Sequence, residues 1–207
     1  MRNSNRFLLV LLAAIAVCDC TSPKSADKEI PAFLLKFDRG SFASPVGPTD
    51  YVSEANDIRD DWYNAQDFGE NNHLGEDWNK NTGGDTDCGE PVYSTADGVI
   101  VSAKDAGPGW GNVIIVEHVA SDGTKLRSVY GHLATIERLH GVVRRRERLG
   151  TIGNAGGRYK CHLHFEIRWS ECPVWDEAGP GYSGSRHGWI DPSEFIEKTR
   201  LSRQSHP

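Results

Sequence analysis

Short runs in which apolar and polar positions alternate dominate the middle of the chain. Pro91-Val92-Tyr93-Ser94 and Gly98-Val99-Ile100-Val101-Ser102 are of strand length and are separated by the turn Ala96-Asp97-Gly98. Asp105 to Gly111 reads as a long turn, Asn112-Val113-Ile114-Ile115-Val116-Glu117-His118 as a buried strand, and Leu126-Arg127-Ser128-Val129-Tyr130 as the next one. In Cys161-His162-Leu163-His164-Phe165-Glu166-Ile167-Arg168 the apolar residues again recur at every second position. Helical periodicity is nearly absent. Only Asp191-Pro192-Ser193-Glu194 gives a helix start, with Asp191 as N-cap, Pro192 in the first turn and Glu194 at the third position, and the helix should run to about Thr199. No internal repeat is visible. Short strands joined by glycine-rich turns, with one late helix, predict an all-β-dominated and mostly antiparallel fold with a short C-terminal helix.

The N-terminal part reads differently. Arg2 and Arg6 precede an apolar run from Phe7 to Val17, about the length of a signal-peptide core and too short to span a bilayer. Residues 1–17 are therefore expected to be a signal peptide, and the protein to be exported to a bacterial periplasm or cell envelope. Ile15-Ala16-Val17-Cys18 resembles a lipobox, which would attach the chain to a membrane through a lipidated Cys18, although Val17 departs from the small residue expected there. A soluble secreted form is the alternative. Residues 18–66 read as a tether and extended lead-in, 67–200 as the compact domain, and 201–207 as a tail.

Charge narrows the partners. The formal net charge of -6 becomes -8 once Arg2 and Arg6 leave with the leader, which argues against nucleic acid, since phosphate binding needs basic patches. The basic run Arg144-Arg145-Arg146 sits beside Glu147 and reads as a solvated turn. Cys88, Cys161 and Cys172 would remain in the mature domain. Export permits disulfides, but three cysteines leave one over, and the sequence does not choose the pair. Nor does it give an oligomeric state.

The candidate chemistry lies in three histidine-bearing stretches. In a strand, His162 and His164 would leave the sheet on one face. Upstream, Asn72-His73-Leu74-Gly75-Glu76-Asp77-Trp78 offers a His-x-x-x-Asp pair, whose Cα atoms would be roughly 13 Å apart in a flat strand. Gly75 lies between them and should let the backbone bend. Tyr130-Gly131-His132-Leu133 supplies a further histidine. Three nitrogen and oxygen ligands plus water is the usual form of a catalytic zinc site. Two histidines are then left for proton transfer and for stabilising a tetrahedral intermediate. His118 reads as a hydrogen-bonded structural histidine, and His140, His187 and His206 as solvent-facing. Trp78, Trp110, Trp169 and Trp189 read as core or rim residues, with lining of a substrate groove as the alternative. Glu166 is expected to point away from the histidine face and not to act as a general base.

These stretches, taken in order, resemble the lysostaphin-type (LytM-like) zinc endopeptidases. The resemblance covers roughly Asn72 to Ile196 and includes Gly89-Glu90-Pro91-Val92-Tyr93, Ala96-Asp97-Gly98-Val99-Ile100, Gly150-Thr151-Ile152-Gly153-Asn154 and Asp191-Pro192. It implies a two-sheet antiparallel core, one zinc per chain held by His73, Asp77 and His164, and a catalytic pair His132 and His162. It also implies a peptidoglycan peptide, in stem or cross-link, as substrate. The loop Gly153 to Lys160 is shorter than the common glycine-threonine-rich form, and Cys161 stands where proline is frequent, so the groove rim departs from the pattern. Family members that have lost ligands act as non-catalytic regulators of other wall hydrolases. That role and cleavage of an exported protein are the competing readings.

Overall fold

The computed structural model describes residues 42–49, 61–120 and 123–204. The expected signal peptide, the lipid site at Cys18, most of the tether and His206 lie outside the described residues. Among those described, no helix is long and apolar enough to cross a membrane.

Among the described residues, ten strands and one α-helix follow in order: β1 (Trp62–Gln66), β2 (Glu76–Lys80), β3 (Pro91–Tyr93), β4 (Gly98–Asp105), β5 (Asn112–Val119), β6 (Lys125–Ile136), β7 (Gly141–Val143), β8 (Arg148–Ile152), β9 (Leu163–Trp169), β10 (Trp189–Ile190) and α1 (Pro192–Gln204). All pairings are antiparallel, in the order β1-β2-β9-β6-β5-β4-β7, with β10 against β9. Strand β6 serves two layers. Leu126 to Gly131 pairs with β9, whereas Leu133 to Ile136 pairs with β8, which in turn carries β3. The expected two sheets are thus one continuous ladder network, folded where β6 changes partner. At that point His132 has φ 61, a left-handed conformation that a non-glycine residue rarely adopts inside a strand.

The sheet begins ahead of the expected boundary at residue 67, because β1 pairs with β2 from Trp62 onward. The core lies between the layers and is built from alternate strand residues, including Ile114, Val116, Tyr130, Leu163, Phe165 and Ile167, with Phe42 and Val46 from the lead-in packed among them. Burial of such side chains is the main stabilising term. Helix α1 buries Phe195 and Ile196 on the same core. The expected cap is present, with the Glu194 amide donating to Asp191 Oδ1 at 3.0 Å, and the helix continues past Thr199 to Gln204. Glu76, buried between the two halves of the His-x-x-x-Asp stretch, fastens the helix start to β2. It accepts from the Ser193 amide and hydroxyl at 2.9 Å each and from Trp78 Nε1 at 3.1 Å.

Candidate active site

Strands β2 and β9 run side by side with Asp77 directly opposite His164, so one carboxylate and one imidazole share a face by register alone. His73 arrives by a different route. It follows a 3-10 turn at Glu70–Asn72 and forms an isolated bridge with Tyr182. Gly75 then carries the chain past β9. Its backbone needs no unusual φ; what it needs is space, since a Cβ there would collide with the Phe165 carbonyl oxygen and lie 2.8 Å from Glu166 Cγ. The expected bend is therefore a close approach of two strands.

His73 Nε2, Asp77 Oδ1 and His164 Nδ1 converge. The separations are 3.0 Å between the two nitrogens, 3.4 Å from His73 to Asp77 and 3.1 Å from His164 to Asp77. Ligands at about 2.0–2.1 Å from a tetrahedral zinc stand about 3.3 Å from one another, so this donor set fits such an ion. Both histidines are buried and Asp77 nearly so. Burial alone would raise the Asp77 pKa, but hydrogen bonds to His164 and His73 and their charges outweigh it and hold the carboxyl well below its usual range. For His164, burial opposes charge, yet hydrogen bonds to Asp77 and Glu166 push its pKa up to about 9.

Behind His164 stands a buried relay. His164 Nε2 lies 3.0 Å from Glu166 Oε1, and Glu166 Oε2 accepts from Arg168 Nε at 2.7 Å and Trp189 Nε1 at 2.8 Å. Glu166 therefore does not point away from the histidine face. Residues 164 and 166 are two apart on one strand and share a side. With Nε2 committed to Glu166, Nδ1 is the His164 atom left to bind a cation, an arrangement that fixes ligand tautomer and ring orientation. The Glu166 pKa is raised by burial but lowered further by the Arg168 charge and the bond to His164, and the net shift is downward. Arg168 also donates to the carbonyls of Val174 and Glu177 at 3.0 and 2.5 Å and to that of Ala178. That loop continues into Pro180, Gly181 and Tyr182, one wall of the groove. His73 has no such relay. Its Nδ1 is buried without a hydrogen-bond partner among the described residues, and the Tyr182 ring packs 4.9 Å away.

His132 and His162 stand next to the cluster with ring centroids 4.7 Å apart. His132 Nδ1 lies 3.1 Å from the Trp110 carbonyl, and His162 Nδ1 lies 2.9 Å from the Lys160 carbonyl. A carbonyl only accepts, so each Nδ1 donates, and in the neutral ring each Nε2 is left with the lone pair. His162 Nε2 is 3.6 Å from Asp77 Oδ2. Burial, then the neighbouring charges of His164 and His162, push the His132 pKa down to about 3. The structure thus brings together all five residues singled out in the sequence.

Of the other side chains around them, Trp110 and the loop of Arg158 and Tyr159 stood out in the sequence, whereas Gln66 and Tyr182 carried no signal. A groove of about 490 Å³ is lined by Asp77, His132, His162 and His164 together with Gln66, Trp110, Arg158, Tyr159 and Tyr182. Trp110 stacks edge-on to His164 at 5.0 Å and donates to the Gly179 carbonyl at 2.9 Å, and Tyr159 lies 5.1 Å from His132. Trp110 is a groove residue, whereas Trp78 and Trp189 are buried. Cys88 and Cys161 form a disulfide, and Cys172 is a buried free thiol. His118 is buried, 2.9 Å from the Asp97 carbonyl and 2.7 Å from Ser128 Oγ, and His140 and His187 are exposed.

A family model described as peptidase family M23 matches residues 72–175, the span that holds all five residues. The cell division protein DipM of Caulobacter vibrioides is 39% identical over 93 residues, covering 44% of this chain and 14% of that protein. The DD-carboxypeptidase/endopeptidase Mpg of Neisseria meningitidis is 34% identical over 99 residues, covering 47% of this chain and 22% of that one. The matched segment is thus under a quarter of the length of either relative. Among solved structures, a chain of the SpoIIIAH–SpoIIQ complex superposes with TM-score 0.50 at 20% identity, over 74% of this chain and 99% of that one. That likeness is one of fold.

Proposed function

The chain belongs to peptidase family M23, and from that premise we propose that it is a zinc-dependent endopeptidase hydrolysing peptide bonds in peptidoglycan. The observation that carries this reading is the convergence of His73 Nε2, Asp77 Oδ1 and His164 Nδ1 at tetrahedral ligand spacing. These three would hold the ion. When bound, zinc makes water a nucleophile at neutral pH and polarises a carbonyl.

The remaining work falls to the chain's own groups. His132 and His162 stand beside the donor cluster, each with Nδ1 held by a backbone carbonyl, so that in the neutral ring Nε2 is the nitrogen that can take a proton. One takes the proton of the attacking water and passes it to the departing amine. Once protonated, it is also a cation beside the oxyanion of the tetrahedral intermediate. Trp110, Tyr159 and Tyr182 wall the groove and align an extended peptide. Export to the envelope, with a lipid at Cys18, belongs to the same proposal, because peptidoglycan lies outside the cytoplasm. A purely regulatory role predicts a broken ligand set, and the intact set of five favours catalysis.

The test separates ligands from proton carriers. His132→Ala and His162→Ala should keep one zinc per chain yet lose about 10²–10⁴-fold in hydrolysis. His73→Ala should lose the zinc itself. Zinc-free His132→Ala protein would contradict the assignment.

A further inference from the structure

Of the described residues lining the groove, only Asp77 and Arg158 carry a formal charge besides the histidines, and Asp77 is taken up by His73, His162 and His164. Arg158 is different. It makes no ion pair and no side-chain hydrogen bond among the described residues, whereas Arg127, Arg138, Arg148 and Arg168 each hold a carboxylate. Its backbone is fixed nonetheless. The amides of Arg158 and Tyr159 donate to the Asn154 carbonyl at 3.0 and 3.2 Å, and the Gly157 amide donates to Asn154 Oδ1 at 2.8 Å. The next residue, Tyr159, packs on both His132 and His162, with centroids 5.1 and 5.9 Å away. A short, pinned loop therefore presents an unengaged guanidinium at the lip of the groove, one residue from a side chain that touches the proposed catalytic pair.

An unpaired cation in that position stands out in a chain of net charge -6, whose field repels acidic peptides. We propose that Arg158 reads a free carboxylate on the peptide next to the scissile bond, so that the preferred substrate is an acidic peptide and not a glycine-only bridge. The inference rests on the peptidase reading. The guanidinium fork matches a carboxylate with two parallel hydrogen bonds, which a carboxamide cannot accept in the same way. Tyr159 and Tyr182 then hold the peptide backbone between them while the charged group is anchored at the rim.

The experiment uses the zinc-loaded chain and two peptides identical except that the group beside the scissile bond is a carboxylate or a carboxamide. Wild type should favour the carboxylate about 5- to 20-fold in kcat/KM. Arg158→Gln should reduce that preference to within about 2-fold, Arg158→Lys should keep part of it, and about 0.5 M salt should shrink it in wild type. The same pair is titrated onto His132→Ala and the His132→Ala/Arg158→Gln double variant, which are expected to bind without cutting. Tighter binding of the carboxylate peptide that vanishes with Arg158→Gln upholds the inference even if wild type cuts neither peptide, an outcome that would overturn the peptidase reading alone. Equal binding of both peptides, or a preference that survives Arg158→Gln, overturns the role of Arg158.

Discussion

Asp77 and His164 are direct cross-strand partners on β2 and β9, and their Oδ1 and Nδ1 atoms lie 3.1 Å apart. The pair exists because of register. A one-residue slip would send one of the two side chains to the other face of the sheet and dissolve the donor set. Metal binding and the β2–β9 ladder should therefore support each other. Zinc at about 1,000 times its dissociation constant should stabilise wild type by about 4 kcal/mol against unfolding. Asp77→Ala should gain far less, and thermal unfolding with and without zinc measures the difference.

Glu166 acts through His164. Glu166→Gln keeps the shape of the relay and removes its charge, so zinc affinity should fall about 10- to 100-fold with little change in fold. Glu166→Ala is a harsher change, because it leaves Nε of the fully buried Arg168 without an acceptor as well as the guanidinium without a counter-charge, and should cost about 3–5 kcal/mol. Competitive chelator titration reads the first effect and urea unfolding the second.

The disulfide between Cys88 and Cys161 closes a sequence separation of 73 residues immediately ahead of His162. The Cys161 amide also donates to Asp85 Oδ1 at 2.9 Å, and its carbonyl accepts from Asn79 Nδ2 at 3.1 Å. A Cys88→Ser/Cys161→Ser variant should lose up to about 4 kcal/mol of stability, since an open chain has more unfolded states to lose. Because backbone bonds still hold the Cys161 peptide, zinc content at low temperature should survive, and denaturant midpoints should move while zinc stoichiometry does not.

His118 sets part of the acid limb of stability. Burial, only partly offset by the Asp97 carbonyl and the charges of Asp97 and Glu117, pushes its pKa down to about 4. The unfolded chain binds this proton near pH 6.5 and the folded chain does not. The contribution is therefore complete above about pH 6.5 and lost as pH falls towards 4, up to about 3 kcal/mol in all. Comparing wild type with His118→Gln in urea across that window should show a shallower pH dependence in the variant. Parallel curves would contradict it.

The sequence was most informative where chemistry and alternation coincide. His73, Asp77, His132, His162 and His164 stood in recognisable stretches, and the structure gathers all of them. Strand β6 was harder to read beyond Tyr130, because Gly131 and the left-handed His132 interrupt the apolar pattern at the point where the strand changes layer. Strands β1 and β7 are five and three residues long and carry too little alternation to stand out. Arg168 holds loop 174–178 by its carbonyls, and carbonyls leave no trace in a sequence because every residue has one. Cysteine pairing was decided by placement. Cys161 lies two residues ahead of β9 and is bonded to Cys88, whereas Cys172 lies beyond the far end of β9, packed with Leu74 and Trp189.

The proposed role of this donor cluster is metal-dependent peptide hydrolysis in the cell wall. The most direct measurement is digestion of purified peptidoglycan, with and without chelator and with zinc restored, read by mass spectrometry of the released fragments. Peptide-cleaved fragments that appear with zinc, vanish with chelator and return on zinc addition are the predicted result. A chain that carries one zinc and releases no peptide-cleaved fragment from any wall type would contradict it.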